Sequence, residues 1–226
     1  MKRSIAAAKD EGRNLLEPEA LELFAEYGLP IPAFRLVDDA AGAVKAAGEI
    51  GYPVVLKIVS KDILHKSDAG GVRVNLGDAA SVKAAYLSIM ESVKAYKPDA
   101  DVTGVMVRAM LEEGLECIIG MTRDPSFGPA FMFGLGGIFA DILSDVSFRV
   151  LPLKKEDAVA MIKELKAAPI LLGARGQEPK DIDAIADALL KVAKMTEENP
   201  EIRELDINPV FVYNRGVMTA DARVMM

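Results

Sequence analysis

The spacing of apolar positions predicts most of the secondary structure. Pro18 suits a first helical turn, Leu21, Phe24 and Ala25 follow at helical spacing, and Gly28 ends that helix. Ile31 to Val37 reads as a strand, and Asp38 or Asp39 caps a helix running to Gly51. Val54 to Val59 is a buried-strand run with one lysine inside it, and Val72 to Leu76 alternates as a strand does. A long helix fits Ala79 to Tyr96, closed by Pro98. Strands are expected over Gly104–Met110, Leu115–Met121 and Pro129–Phe133, the last followed by a glycine-rich flexible turn at Gly134–Gly137. Helices fit Lys155–Ala167 and Asp181–Glu197. Two strands, Ile202–Tyr213 and Val217–Val224, flank the turn Asn214-Arg215-Gly216. Strands and helices are mixed without strict βαβ alternation, which points to an α+β or mixed α/β architecture. Glu112-Glu113-Gly114 interrupts two apolar strands and marks a boundary near residues 110 to 115. Internal repeats and low-complexity segments are not evident.

Composition narrows the picture little. The chain has 226 residues, enough for one large domain or two small lobes with a full core. A net charge of −7 lacks the basic footprint of a nucleic-acid binder, yet leaves room for a nucleotide held by local lysines and amides. The single cysteine, Cys117, rules out an intrachain disulfide and a thiol-rich metal site, and fits a reducing compartment. The N-terminal apolar run is too short for a signal peptide, and no apolar stretch has membrane-spanning length. The expectation is a soluble cytoplasmic protein with no nucleic-acid or membrane partner.

Three segments carry candidate chemistry. The first is Leu64-His65-Lys66-Ser67-Asp68-Ala69-Gly70-Gly71-Val72, between two expected strands. Adjacent glycines allow unusual dihedrals, and successive amides can form a nest for phosphate, with Lys66 and Ser67 adding a charge and a hydroxyl. The Walker phosphate loop and the dinucleotide glycine fingerprint are absent. His65 is the only histidine, so a zinc site is not expected. It reads either as a surface loop residue or as a nucleophile or proton carrier, and a neutral imidazole can accept and release a phosphoryl group. The second is Lys57, amid Val54, Val55, Leu56 and Ile58. Either it faces solvent from a half-exposed strand, or it is aimed at a nucleotide phosphate that offsets its desolvation. The third is the acidic end. Period two puts Glu204, Asp206 and Asn208 on one strand face, with Asp221 on the expected hairpin partner. Such oxygen donors suit Mg²⁺, or they form an ordinary solvated face.

Taken with further motifs, these segments resemble a known family. The motifs are Gly51-Tyr52-Pro53-Val54-Val55-Leu56-Lys57-Ile58, Ile63 through Val72, Arg123-Asp124-Pro125-Ser126-Phe127-Gly128-Pro129, Phe133-Gly134-Leu135-Gly136-Gly137-Ile138-Phe139, Gly173-Ala174-Arg175-Gly176 and Glu204-Leu205-Asp206-Ile207-Asn208-Pro209. Their order and their spread over nearly the whole chain resemble the β subunit of archaeal ADP-forming acetyl-CoA (acyl-CoA) synthetases, relatives of succinyl-CoA synthetase. The resemblance implies an α+β ATP-grasp fold of two lobes with nucleotide held between them. It divides the chain into an N-terminal helical extension (1–20), an N-terminal lobe bearing the His65 loop (21–112) and a C-terminal lobe (113–226).

The implied reaction is acyl-CoA + ADP + phosphate ⇌ carboxylate + ATP + CoA. In the family the CoA-binding and acyl-phosphate-forming parts lie on an α subunit, or upstream in fused versions, so a partner in an α2β2 heterotetramer is expected. By resemblance His65 is a phosphohistidine, taking phosphate from a histidine of the α subunit and delivering it to ADP. Lys57 contacts nucleotide phosphates, with Ser67, Gly70 and Gly71 of the loop assisting. Glu116 lies by the nucleotide, its other reading being a polar strand residue. Asp206, Asn208 and Asp221 form the Mg²⁺-facing hairpin, Asp206 also acting in catalysis. Arg175 steadies a phosphate or is a surface turn. Two rival readings are an ATP-grasp carboxylate ligase without a phosphohistidine and a non-catalytic nucleotide-binding regulatory subunit.

Overall fold

The structure, a computed structural model, describes residues 2–63, 65–137 and 145–226, the side chain of Arg175 excepted. It divides into two compact units, Pro32–Glu112 and residues 1–31 together with 113–226.

The smaller unit holds β1 (Phe34–Val37), α3 (Ala40–Ile50), β2 (Val54–Ser60), β3 (Val72–Leu76), α4 (Ala79–Tyr96) and β4 (Val102–Ala109). Its antiparallel sheet runs β1-β4-β2-β3, so β3 is an edge strand. Asp39 is the residue that caps α3, its carboxylate accepting from the Gly42 amide at 2.6 Å. Asp78 caps α4, accepting from Ser81 N while the Ser81 hydroxyl bonds back to residue 78. Small residues Ala43, Ala46 and Ala47 of α3 and Val82, Ile89 and Val93 of α4 pack on Leu56, Ile58, Val105 and Val107 of the sheet. Helices thus cover one sheet face, and alternation puts Val55, Lys57 and Val59 on the other.

The larger unit holds α1 (Arg3–Asp10), α2 (Glu17–Glu26), β5 (Leu115–Asp124), β6 (Gly128–Leu135), β7 (Val146–Val150), α5 (Lys155–Lys163), α6 (Ala168–Leu171), α7 (Ile182–Glu198), β8 (Glu204–Val212), β9 (Val217–Thr219) and β10 (Arg223–Met225). Its sheet runs β10-β8-β5-β6-β7, with β9 also paired to β8. α7 buries an apolar stripe that includes Ile185, Leu189 and Val192, and Phe131 and Phe133 of β6 are fully buried.

The observed division differs from the expected one. Residues 1–20 are no separate extension, and residues 21–31 do not belong with the smaller unit. The amide of Leu15 donates to Val224 O, Thr219 N donates to Pro30 O, and Met226 N donates to the Asn14 side chain. These bonds attach the first 31 residues to β9 and β10. The expected strand Val217–Val224 is two short strands broken at residues 220–222. Gly134 and Leu135, expected in a turn, continue β6 opposite Ile118 and Cys117. The helix expected over Lys155–Ala167 stops at Lys163, and α6 follows. β7 was not anticipated. No helix among the described residues is long and apolar enough to cross a membrane.

Candidate functional site

β2 is buried at all seven positions, Lys57 among them at 6 % exposure. The half-exposed reading of that strand is therefore excluded. Lys57 sits opposite Met106 of β4 and Val72 of β3, on the face that α3 and α4 leave uncovered. Arg108 of β4, opposite Val55, lies on the same face and is also buried. The sequence reading did not single out Arg108, although it interrupts an apolar run just as Lys57 does.

His65 is exposed, and the chain around it closes into a compact turn. Ala69 N donates to His65 O (3.3 Å), Gly70 N to Ser67 O (3.0 Å) and Gly71 N to Lys66 O (2.7 Å). The glycine amides expected to cradle phosphate are thus already engaged within the turn. What the glycines supply here is room. Gly70 has φ +63°, and a Cβ on it would lie 2.9 Å from the Ser92 side chain; a Cβ on Gly71 would lie 2.4 Å from Ile58 Cγ2. Ser67 is exposed, so its hydroxyl is open to a ligand. Leu64, within the same motif, lies outside the described residues.

In the larger unit, Asp206 sits between Gly120 of β5 and Arg223 of β10. Burial raises its carboxyl above the ordinary value; Arg223 opposes this, while Asp221 and Glu204 reinforce it. A bulge in β8 at Asn208–Pro209 shifts the register against β5, leaving Asn208 exposed on the same side as Asp206. Asp221 is in the break between β9 and β10 rather than on a strand, its carboxylate accepting from Ala222 N at 2.9 Å. Asp206, its carboxyl raised in part by the neighbouring Asp221 carboxylate, and Asn208 on the same strand face fit Mg²⁺, which takes one or two carboxylates and completes its shell with water and phosphate. Among the described residues no three His, Cys, Asp or Glu side chains group as an all-protein metal cage. The sheet face here is concave, a hollow of about 230 Å³ lined by Gly120, Thr122, Met132, Phe148, Asp206 and Arg223.

Glu116 is exposed on β5 opposite Phe211, and its carbonyl accepts from Gly136 N at 2.7 Å. A Cβ on Gly137 would lie 3.4 Å from its carboxylate, so the glycine-rich segment after β6 passes directly over Glu116. Residues 138 and 139 of that motif lie outside the described residues. Arg175 belongs to a 3₁₀ turn (Ala174–Gly176), and its side chain is likewise outside them. Cys117 is buried and its thiol is pushed up to about 12 by burial, which excludes thiolate chemistry there.

Comparison with known proteins accords with this geometry. The ATP-grasp domain model matches residues 6–226. The β subunit of acetate–CoA ligase [ADP-forming] I of Pyrococcus furiosus is 54% identical over 222 residues, covering 98% of this chain and 96% of that one. Two structures of a dinucleotide forming acetyl-coenzyme A synthetase 1 from Ca. Korarchaeum cryptofilum superpose over nearly the whole chain. One holds coenzyme A, acetyl-coenzyme A and a phosphorylated phosphohistidine segment in a site I orientation (TM-score 0.91, 47% identity, 98% of this chain and 97% of that one). The other holds coenzyme A and Mg-AMPPCP, its phosphohistidine segment pointing towards the nucleotide site (TM-score 0.87, 46% identity, 99% and 98%). The chain belongs to the ATP-grasp family, among the β subunits of ADP-forming acetate–CoA ligases.

Proposed function

We propose that this chain is the nucleotide-binding subunit of an ADP-forming acyl-CoA synthetase, with His65 carrying phosphate between two sites. An imidazole nitrogen of His65 takes a phosphoryl group from a phosphohistidine of a CoA-binding partner, so that one N–P bond forms as another breaks. A terminal oxygen of ADP then attacks the phosphorus, the bond to His65 breaks, and ATP leaves. Phosphoryl transfer asks chiefly for positioning and charge neutralisation. Lys57 supplies a fixed cation for nucleotide phosphates, and the exposed Ser67 hydroxyl can steady the travelling group. Glu116 holds the nucleotide beside the glycine-rich segment. Arg175 is a further phosphate contact.

Asp206, Asn208 and Asp221 would hold Mg²⁺, which when bound neutralises phosphoryl charge. Asp206 also orients the incoming imidazole. The partner and this chain assemble as α2β2 in the cytoplasm. The boundary near residue 112 separates the Lys57 and His65 elements from those bearing Glu116 and Asp206.

The observation that carries the reading is an exposed histidine on a self-closed turn, in a chain 54% identical to an acetate–CoA ligase β subunit. A carboxylate ligase without a phosphohistidine has no use for such a turn, and neither has a regulatory subunit. The test is labelling of the purified chain with γ-labelled ATP and Mg²⁺. An acid-labile label is expected, absent in His65→Asn. A chain that stays unlabelled, or a label that survives in His65→Asn, refutes the carrier role.

A further inference from the structure

The carrier reading requires the His65 turn to leave its place and return, and the structure shows what holds it. The fixed end is clear. Gly71 O accepts from Ile58 N at 2.8 Å, at the end of the β2–β3 ladder. One residue earlier, Gly70 belongs to the turn, and its carbonyl accepts from Arg73 of β3. Arg73 Nη1 donates to Gly70 O (2.9 Å) and Val72 O (2.8 Å), while Nη2 donates to Ser88 Oγ of α4 (2.8 Å). The guanidinium therefore ties the last residue of the turn to the helix that forms the unit's core. A second attachment is Ala69, 3 % exposed and packed in the core cluster with Ile58, Ile63 and Ile89. Its one methyl is a small anchor, since burial stabilises in proportion to the apolar area covered. The bonds from Ala69 N to His65 O and from Gly70 N to Ser67 O survive if residues 65–70 move as a body, while Gly71 N to Lys66 O ties the turn to its fixed end.

We propose that Arg73 is a positioning residue for phosphoryl transfer, its planar donor fork clasping Gly70 O and Ser88 Oγ to fix the docked position of the His65 turn. This rests on the carrier reading above. A planar, always-charged guanidinium can bridge a carbonyl and a hydroxyl in one plane, which the single ammonium of lysine does less well. Releasing the turn breaks the Arg73 bond to Gly70 O and the bond from Gly71 N to Lys66 O, while the Arg73 bonds to Val72 O and Ser88 Oγ keep the guanidinium in place to receive the turn again. Arg73 itself touches no reacting atom.

The experiment uses the full chain and three variants, Arg73→Met, Arg73→Lys and Ser88→Ala. Trypsin cleavage after Lys66, resolved by mass, should rise about tenfold in Arg73→Met and a fewfold in Ser88→Ala. The maximal rate of His65 labelling by ATP and Mg²⁺ should fall about tenfold in Arg73→Met, with the half-saturating ATP concentration within twofold of wild type. Arg73→Lys should recover most of the rate. A Lys66 cleavage rate and labelling rate both unchanged in Arg73→Met overturn the proposal. So does a half-saturating concentration that moves with the rate, since Arg73 would then act on nucleotide. A lowered melting temperature that Arg73→Lys does not restore also overturns it, because the role would be structural. If the wild type carries no His65 label, the carrier reading fails by itself, and Lys66 cleavage still decides whether the clasp exists.

Discussion

Two strands present charged groups suited to phosphate, and they do so in opposite ways. β2 is buried throughout, and Lys57 is one cation inside an otherwise uncharged strand. β8 alternates, so Asp206 and Asn208 lie on a half-open face above a buried row of Leu205, Ile207 and Val210. A cation fixed in a buried strand is held in place whatever the solution contains. An anion on a half-open face beside a second carboxylate is tolerable alone and becomes favourable with a cation present. The contrast predicts that Lys57 serves the nucleotide in all conditions, while Asp206 serves it through a divalent ion.

The sharpest way to break that contrast is to measure ADP affinity with Mg²⁺ and with EDTA. Lys57→Met should weaken binding in both, by about 2 kcal/mol or roughly 30-fold, the scale of a hydrogen bond to a charged group. Asp206→Asn should weaken it by about tenfold with Mg²⁺ and leave the EDTA value near wild type, on the same scale. Equal losses in the two buffers for Asp206→Asn would remove the metal role and put both residues in direct contact with nucleotide.

A smaller effect is expected from Gly71→Ala. Its new Cβ would meet Ile58 Cγ2 at 2.4 Å and Lys66 O at 3.0 Å. Overpacking of this kind costs about 1–3 kcal/mol, and each kcal/mol lowers the melting temperature by roughly 2–4 °C in a chain of this size. The change presses on β2 beside Lys57 and leaves β8 alone. Calorimetry should therefore show a loss of stability larger than any loss of ADP affinity. The reverse order would restore the anion cradle that the engaged amides argue against. Gly12→Ala is the control, since its φ is +62° but nothing lies within 4 Å of the added Cβ. It should cost only the left-handed backbone penalty of about 1–2 kcal/mol.

How much of this was legible in the sequence depends on whether the signal is local. Lys57 was legible as an anomaly, because a lysine among valines and leucines is awkward wherever the strand lies. Asp206 and Asn208 were legible through period two. The cap at Asp39 and the helix Ala79–Tyr96 follow from short-range rules and lie where expected. β7 was legible and overlooked, for Val146-Ser147-Phe148-Arg149-Val150 alternates. The attachment of residues 1–31 to β9 and β10 was not legible, since hydrogen bonds between residues nearly a whole chain apart leave no local trace. Gly70 and Gly71 show the limit for sites. A glycine pair in a loop suggests an anion nest, but the reason for glycine here is the nearness of Ser92 and Ile58, which only folding creates. Arg73 was invisible for a related reason. An arginine on an edge strand reads as solvated until its partners, Gly70 O and Ser88 Oγ, are known.

The smallest predicted effect contrasts two aspartates whose proton affinities move in opposite directions. Asp206 is raised by burial. Asp62, at the other foot of the His65 turn, is lowered, first by the Asp101 amide (2.6 Å) and then by Lys97 (3.1 Å). A carboxyl whose folded value lies below its unfolded one adds stability above the unfolded value, near 3.8, and loses it as pH falls through the lowered folded value. Asp62→Asn should therefore melt below wild type at pH 7, with the gap closing below about pH 4 as the wild-type carboxylate takes up a proton. Asp62 is exposed, so water screens the pairing with Lys97 and the gap should be small. The gap should also narrow in salt to the extent that Lys97 contributes, and persist to the extent that the Asp101 amide does. A gap that stays constant from pH 7 to pH 3 would mean the loss comes from altered packing at residue 62. The charge on this foot would then do nothing to hold the turn.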